Sequence, residues 1–144
     1  MNLFWVMLGI VGGMAVGTQA AVNAALGRNI GVLETAFLSF LVGATCLGIM
    51  VATVGRGHLA AVTSVPWWQW LGGVLGGFYV LVIVMNVPRF GVASTITMII
   101  VGQMLMGLLI DHFGLFGVTH APVTLSRVGG VLLMGAALAL FFRR

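Results

Sequence analysis

Four uncharged polar side chains stand inside long apolar stretches of this 144-residue chain. Gln19 and Asn23 are four residues apart, so a helix places them on one face, whereas Tyr79 and Gln103 each follow closely on a glycine. In hydrocarbon such groups must pair with a neighbouring helix, line a cavity or bind a solute. All four are therefore predicted substrate-binding residues. The alternative is hydrogen bonding between helices and, for Asn23 near the end of its apolar stretch, capping or an interface position.

The two acidic residues of the chain, Glu34 and Asp111, are candidates for proton coupling. Glu34 falls in the first turn of the second apolar stretch, where the helix dipole favours a carboxylate, and Arg28 is near enough in sequence to pair with it. The alternative is a carboxylate that exchanges its proton as solute binds. Asp111 precedes His112 at the end of an apolar stretch, where a solvated loop anchor is the simpler interpretation, so Asp111 ranks below Glu34.

The residue pattern indicates neither an enzyme nor a metal or cofactor site. One cysteine, Cys46, and three histidines give no metal-ligand spacing. We find no nucleophile, histidine and acid in a credible arrangement, and no phosphate-binding loop. The six arginines are scattered and there is no lysine, so the sequence also predicts no nucleic-acid partner.

Glycine recurs at spacings that suit close helix packing. Gly9, Gly13 and Gly17 follow one another every four residues, and Gly73 and Gly77 repeat the spacing later in the chain. Small residues four apart let the backbones of two membrane helices approach each other. These five glycines are predicted to be helix-packing positions.

Composition places these residues in a membrane protein. Hydrophobic residues make up 61% of the chain and charged residues 6%, and the mean hydropathy is +1.22. A hydrocarbon core of about 30 Å is crossed by roughly 17 to 25 helical residues. Five apolar runs reach that length, at 4–25, 32–54, 67–87, 92–110 and 125–142. We predict an all-α integral membrane protein in a lipid bilayer, with one five-helix transmembrane domain over 1–144 and a tight turn at Pro88–Arg89 with Gly91.

Five spans put the two termini on opposite faces of the membrane. Arginines near the ends of the runs number four on the face that holds the C-terminus (28, 89, 143 and 144) and two on the other (56 and 127). Positive residues favour the cytoplasmic side, so this excess predicts a cytoplasmic C-terminus. The excess is small, and insertion in both orientations stays open.

The combined motifs resemble a known family. They read GGMAVGTQAAVNAALGR, WWQWLGGVLGGFYV, GVASTITMIIVGQMLMGLLIDHFGLFG and SRVGGVLLMGAAL. Together they look like the YdcZ-type inner-membrane proteins of the drug/metabolite transporter superfamily. The resemblance implies a bacterial inner-membrane, multi-pass half-transporter that moves a small solute. Larger members of the superfamily are similar to two five-helix halves in opposite orientations, so this half would pair as an antiparallel homodimer or with a sibling chain, forming an inverted repeat.

The resemblance also carries one departure. Small multidrug exporters of that superfamily have a glutamate inside their first membrane helix, whereas this chain has Gln19 there and no acid. Either Glu34 takes that role, or the solute is neutral or anionic. An accessory membrane subunit that packs on a larger partner without transport of its own is the alternative function, and a passive channel is a third.

Overall fold

The computed structural model describes residues 2–143, and within them the chain is helical with no strand. The five long helices are α1 (Leu3–Ile30), α2 (Val32–Val54), α3 (Leu71–Phe90), α4 (Val92–Phe113) and α5 (Leu125–Phe142). Short 3-10 turns lie in the connections at Leu59–Ser64, Trp67–Trp70 and Leu115–Gly117. Five segments are long and apolar enough to cross a membrane, the third of them including Trp67–Trp70. The predicted all-α integral membrane protein with five spans is confirmed.

Two of the helix connections consist of a single glycine. Gly31 links α1 to α2 at φ 101 and ψ 160, and Gly91 precedes α4 at φ 80 and ψ 167. This region of backbone space is open essentially to glycine alone. The helical backbone of α1 therefore continues to Ile30, past the predicted end at residue 25, and stops only where glycine permits the change of direction.

The predicted tight turn at Pro88–Arg89 is wrong, because Pro88 lies inside α3. Proline has no N–H to donate to the carbonyl of Val84 and thus removes one helical hydrogen bond. Membrane helices tolerate this loss where neighbouring structure compensates for it. The helix ends two residues after the proline, at Phe90, and Gly91 alone makes the turn.

The fourth helix also extends beyond its predicted end at residue 110. It continues to Phe113 and is ended by Gly114, which has the left-handed conformation (φ 61, ψ 34) common at helix C-termini. Asp111 and His112 consequently lie in the last helical turn rather than in a loop. The third span differs at its start, where Trp67–Trp70 form a 3-10 turn before α3 begins.

The chain divides into two compact units, Met1–Arg89 and Phe90–Arg144. In the first unit a small core joins α2 to α3, with Ala36, Val80 and Val84 buried together. α1 packs against this core through Gly27, where a Cβ atom would lie 2.6 Å from Cγ1 of Val84. Only a residue without a side chain lets α1 come this close.

In the second unit α4 and α5 run antiparallel. The end of α4 meets the start of α5 through Asp111 and Arg127. At the opposite end the rings of Phe90 and Phe142 pack edge to face, with centroids 5.8 Å apart. Thr124 caps the first turn of α5, its Oγ1 accepting the N–H of Arg127.

Most large apolar side chains of both units point away from protein. Trp67 is 76% exposed, Phe37 68% and Leu125 92%. A soluble domain does not present so much contiguous apolar surface to water. These helices are therefore built to be covered by lipid or by other membrane helices.

Candidate functional site

Three helices of the first unit border an open cavity of about 360 Å³. Its lining residues are Gln19 of α1, then Ser39, Phe40, Gly43, Ala44 and Leu47 of α2, and Gly76, Tyr79 and Val80 of α3. Small-molecule sites commonly measure about 300 to 1,000 Å³ and combine an apolar wall with a few polar groups. This cavity has that size and that composition.

Helical spacing explains why these residues share one cavity. Ser39, Gly43 and Leu47 are four residues apart and form one row along α2. On α3 the bare backbone of Gly76 faces Phe40, whose Cζ would lie 3.1 Å from a Cβ at that position. The glycine lets the ring of Phe40 lie against α3 and form part of the cavity wall.

The polar groups of the cavity come one from each helix. Gln19 contributes an amide, Ser39 a hydroxyl and Tyr79 a phenol, and no charged side chain is among the lining residues. These groups both donate and accept hydrogen bonds. The lining is thus suited to an uncharged partner that has hydrogen-bonding groups and an apolar body.

Asn23 lies behind the cavity wall rather than on it. Its residue is 5% exposed, and its Nδ2 donates a hydrogen bond to Oγ of Ser39 over 3.1 Å. This bond joins α1 to α2 and sets the position of a lining hydroxyl. The structure therefore brings Gln19 and Tyr79 together at the cavity and places Asn23 one layer further out.

The hydroxyl of Ser39 differs from those of the threonines in the same helix. Thr35, Thr45 and Thr53 each donate to the carbonyl four residues earlier, at 2.7 to 2.9 Å. Ser39 accepts from Asn23, and within the residues that the structure describes its own O–H donates to no acceptor. Because it lines the cavity, this donor is available to a bound molecule.

Gln103 lies on α4 in the second unit, where its side chain is exposed. Thr95, near the start of the same helix, is fully buried, and its Oγ1 has no hydrogen-bond partner among the described residues. The substrate-binding role of Gln103 stays a prediction.

Glu34 lies in the first turn of α2 and is exposed. Its carboxylate folds back over the connection, since a Cβ atom on Gly31 would collide with it. Among the residues that the structure describes, Glu34 forms no ion pair, so the expected pairing with Arg28 is wrong. The side chain lies over the helix N-terminus instead, where the dipole stabilises negative charge.

Asp111 is held by a partner that sequence spacing did not single out. Nη1 of Arg127 lies 3.2 Å from Oδ2 of Asp111, and the same nitrogen donates to the carbonyl of Ala121 over 3.2 Å. The N–H of Ala121 in turn bonds the Asp111 carbonyl at 2.9 Å. The ion pair thus fastens the connection between α4 and α5 to both helices, beside a hollow of about 330 Å³.

His112 takes part in the same connection. Its Nδ1 accepts the N–H of Val123 at 3.4 Å, and its ring centroid lies 6.3 Å from that of His120. No group of three or more metal-ligating side chains occurs in the described part of the chain.

The predicted packing glycines present bare helix surface. At Gly9, Gly13, Gly73 and Gly77 no described atom apart from the local backbone of the same helix lies within 4 Å of the point where a Cβ would stand, and Gly17 is half-buried. Gly73 and Gly77 line an apolar groove of about 490 Å³ between α2 and α3. Side chains of other helices approach closely at Gly27 and Gly76 instead, and the helix-packing role of the predicted glycines stays a prediction.

A larger hollow of about 650 Å³ lies where the connection 55–66 folds against the end of α2. Its lining is apolar apart from His58. Polar groups from several helices converge at the cavity of Gln19 and Tyr79, but not at this hollow. The smaller cavity is accordingly the candidate solute site.

Two participants escaped the sequence reasoning. Ser39 is not among the residues predicted from the sequence, although its i+4 relation to Thr35 marks a polar row on α2. Arg127 was counted as a loop charge, although it follows Asp111 by 16 residues across a connection that returns to α4. Which residue Arg127 meets depends on how that connection folds.

Comparison with known proteins gives two matches and one absence. The chain matches, over residues 4–140, the family described as "Putative inner membrane exporter, YdcZ". It is 29% identical over 108 residues to the inner membrane protein YdcZ of Escherichia coli (strain K12), a region covering 75% of this chain and 71% of that protein. No solved structure matches the chain.

Proposed function

The chain belongs to the YdcZ family, whose description names an inner membrane exporter, and we propose from this that it moves a small solute by alternating access. The cavity bordered by α1, α2 and α3 is the solute site. Gln19 and Tyr79 contact the solute directly, and Asn23 contributes through Ser39. Gln103 of α4 is included in the proposal as a further polar group to be tested by its own variant.

The observation that supports this role is the meeting of three uncharged polar side chains in one apolar cavity. Buried polar groups in a membrane helix are energetically unfavourable unless they are paired or face a cavity. Helix packing alone would satisfy Gln19 and Tyr79 by bonds between helices, yet neither makes a described side-chain hydrogen bond. Open hydrogen-bonding capacity at a cavity is what a solute site requires.

The working assembly is an antiparallel dimer, formed by two copies of the chain in opposite orientations or with a sibling half. Five spans make an odd number, and the bare surface at Gly73 and Gly77 offers a groove for a helix from a second chain. Two inverted five-helix halves would give the inverted repeat that alternating access uses. In a heterodimer this chain is proposed to place its C-terminus in the cytoplasm, and a homodimer requires both orientations.

Crosslinking tests the assembly. In a Cys46→Ala background, Asn29→Cys and Gly57→Cys place thiols at opposite ends of α2. Co-expressed chains that carry one thiol each should crosslink 29 to 57 in an antiparallel pair, whereas a parallel pair would crosslink 29 to 29. Recovery of like-with-like products alone, or of monomer alone, would contradict the antiparallel dimer.

Flux through liposomes tests transport. Purified protein is reconstituted into vesicles filled with a mixture of small amides, amines and carboxylates, and release is followed by mass spectrometry. Gln19→Leu should lower the release rate about fivefold, since each lost hydrogen bond to a solute costs of order 1 kcal/mol. Gln69→Leu changes an exposed glutamine outside the cavity and should leave the rate unchanged.

The same assay separates the alternatives. A chain that releases no solute when reconstituted alone contradicts transport by a homodimer of this protein, and fits either an accessory subunit or a half that needs its sibling. Release that never saturates with solute concentration fits a passive channel and contradicts alternating access. Gln103→Leu, measured in parallel, decides whether α4 takes part.

A further inference from the structure

We infer that the cavity selects an uncharged solute with an apolar, aromatic-sized body and a hydrogen-bond acceptor, and that Ser39 is the donor which recognises that acceptor. This inference rests on the proposed function, because it names the solute class for the same cavity. It adds a specificity residue and a residue that positions it.

The absence of charge in the lining argues for a neutral solute. Gln19, Ser39 and Tyr79 are the polar lining groups, and the rest of the wall is Phe40, glycine and aliphatic side chains. Transferring an ion out of water without a countercharge is far less favourable than transferring a neutral polar group. A cation or anion would enter this cavity without a partner of opposite charge on its wall.

The shape of the lining argues for a compact apolar body. The ring of Phe40 lies against Gly76, and Ala44, Leu47 and Val80 complete the apolar surface. An aromatic ring packs well on such a wall, because ring pairs and ring–aliphatic contacts add to the burial of apolar area. The volume of about 360 Å³ accommodates one ring with a short polar substituent.

Ser39 supplies the directional contact. Helical serines and threonines usually return their proton to the carbonyl one turn earlier, as Thr35 does to Gly31 at 2.7 Å. In Ser39 one oxygen lone pair is occupied by Nδ2 of Asn23 at 3.1 Å, and its proton is not used within the described chain. The hydroxyl is therefore available as a donor at the cavity wall.

Asn23 acts as the positioning residue. It is 5% exposed, so it reaches no solute itself, and its bond to Ser39 crosses from α1 to α2. Removing its amide leaves the hydroxyl free to rotate toward its own helix backbone. Any loss of affinity in an Asn23 variant would then result entirely from the misplaced hydroxyl of Ser39.

Three probes that share one ring test the solute class. N-acetylphenylalaninamide is neutral, N-acetylphenylalanine is anionic, and the trimethylammonium derivative of phenylalaninamide is cationic. Equilibrium dialysis against purified protein in detergent should show the neutral probe binding about tenfold or more tighter than either ion. Tighter binding of an ion, or binding of none of the three, would overturn the inference.

Variants test the two residues. Ser39→Ala should weaken binding of the neutral probe roughly tenfold, and Ser126→Ala, at an exposed helical serine, should not. Asn23→Ala should weaken binding less than or as much as Ser39→Ala, and the double variant should be no weaker than Ser39→Ala alone, because both changes remove one contact. Asn29→Ala serves as the control for an exposed asparagine. Additive losses, or unchanged affinity in Ser39→Ala protein that elutes as a folded species, would overturn the assignment.

Failure of this inference can be told apart from failure of the proposed function. Vesicle flux of an ionic probe without flux of the neutral one leaves transport standing and overturns the solute class. Absence of flux for every solute tested contradicts transport by the homodimer and leaves the solute class undecided by flux, so that the dialysis result alone then tests it.

Discussion

Arg127 at the start of α5 holds the carboxylate of Asp111 at the end of α4, with Nη1 and Oδ2 3.2 Å apart. The same guanidinium nitrogen donates to the carbonyl of Ala121, so the connection between the helices is fastened on both sides. The Asp111 carboxylate therefore has a partner that fixes a helix connection, whereas Glu34 forms no ion pair among the described residues.

Substituting the two residues of this ion pair one at a time should lower the free energy of unfolding by different amounts. Both side chains are more than a third exposed, so Asp111→Asn should lower the free energy of unfolding by only about 0 to 1 kcal/mol. Arg127→Gln also loses the bond to Ala121 and should cost roughly 1 to 2 kcal/mol. Thermal unfolding of purified protein measures the difference, with Arg56→Gln in an exposed connection as the control. Equal effects of all three changes would contradict the role of the pair.

Glu34 rather than Asp111 should couple transport to protons. Glu34 has no ion-pair partner among the described residues, so a change of its protonation breaks no ion pair. We expect Glu34→Gln to abolish export driven by a pH gradient while solute exchange without a gradient persists. Asp111→Asn should retain gradient-driven export. The reverse outcome in vesicle assays would assign coupling to Asp111.

Gly27 should tolerate no side chain. A Cβ there would lie 2.6 Å from Cγ1 of Val84, which is 1% exposed and cannot move away freely. Gly27→Ala should destabilise the protein by about 1 to 3 kcal/mol through overpacking. Gly48→Ala adds a methyl group into open space on α2 and should be close to neutral.

A second substitution tests this contact directly. If Val84 is the obstacle, Val84→Ala should restore part of the stability lost in Gly27→Ala protein. A double variant with fully additive losses in thermal unfolding would show that the two residues do not meet.

Asparagine should destabilise the protein at the two single-glycine connections, but not at Gly114. Gly31 and Gly91 lie in a region of backbone space that is essentially limited to glycine, where a non-glycine residue costs of order 1 to 3 kcal/mol. Gly114 has the left-handed conformation that asparagine adopts readily. Gly31→Asn and Gly91→Asn should therefore lower the unfolding temperature, and Gly114→Asn should leave it nearly unchanged.

Gly91 provides the cleaner case of the two connections. Nothing lies within 4 Å of a Cβ placed there, whereas at Gly31 the added atom also meets the Glu34 carboxylate. If Gly91→Asn lowers the unfolding temperature as much as Gly31→Asn does, the effect comes from the backbone conformation alone. A stable Gly91→Asn protein would contradict the backbone argument.

Leucine at Gly73 should disrupt assembly and spare the folded chain. No described atom lies within 4 Å of a Cβ at Gly73, and the residue lines the apolar groove between α2 and α3. A bulky side chain fills that groove and blocks the approach of another helix. We expect Gly73→Leu to reduce the 29-to-57 crosslink while thermal unfolding of the monomer is unchanged. Gly48→Leu, on another bare helix surface, is the matched control.

Hydropathy along the chain predicts five membrane spans without any knowledge of the tertiary structure, and the motifs indicate the YdcZ family. A membrane span can be predicted from the summed hydropathy of neighbouring residues. About 20 successive apolar residues offset the cost of burying a helical backbone in lipid, whatever surrounds them. The same local chemistry placed Glu34 in a first helical turn. The same reasoning wrongly predicts a turn at Pro88, because proline breaks helices in water-soluble proteins but is tolerated within a membrane helix.

Which polar groups meet depends on how the helices pack. Gln19, Ser39 and Tyr79 come from three different helices, and their convergence depends on how each helix is rotated about its axis. Hydropathy says little about rotation when a helix is apolar on every side. Contacts such as Gly27 against Val84 set it instead, as the fold of the connection sets the pairing of Arg127 with Asp111. These contacts join residues far apart in sequence, and their geometry exists only once the helices have packed.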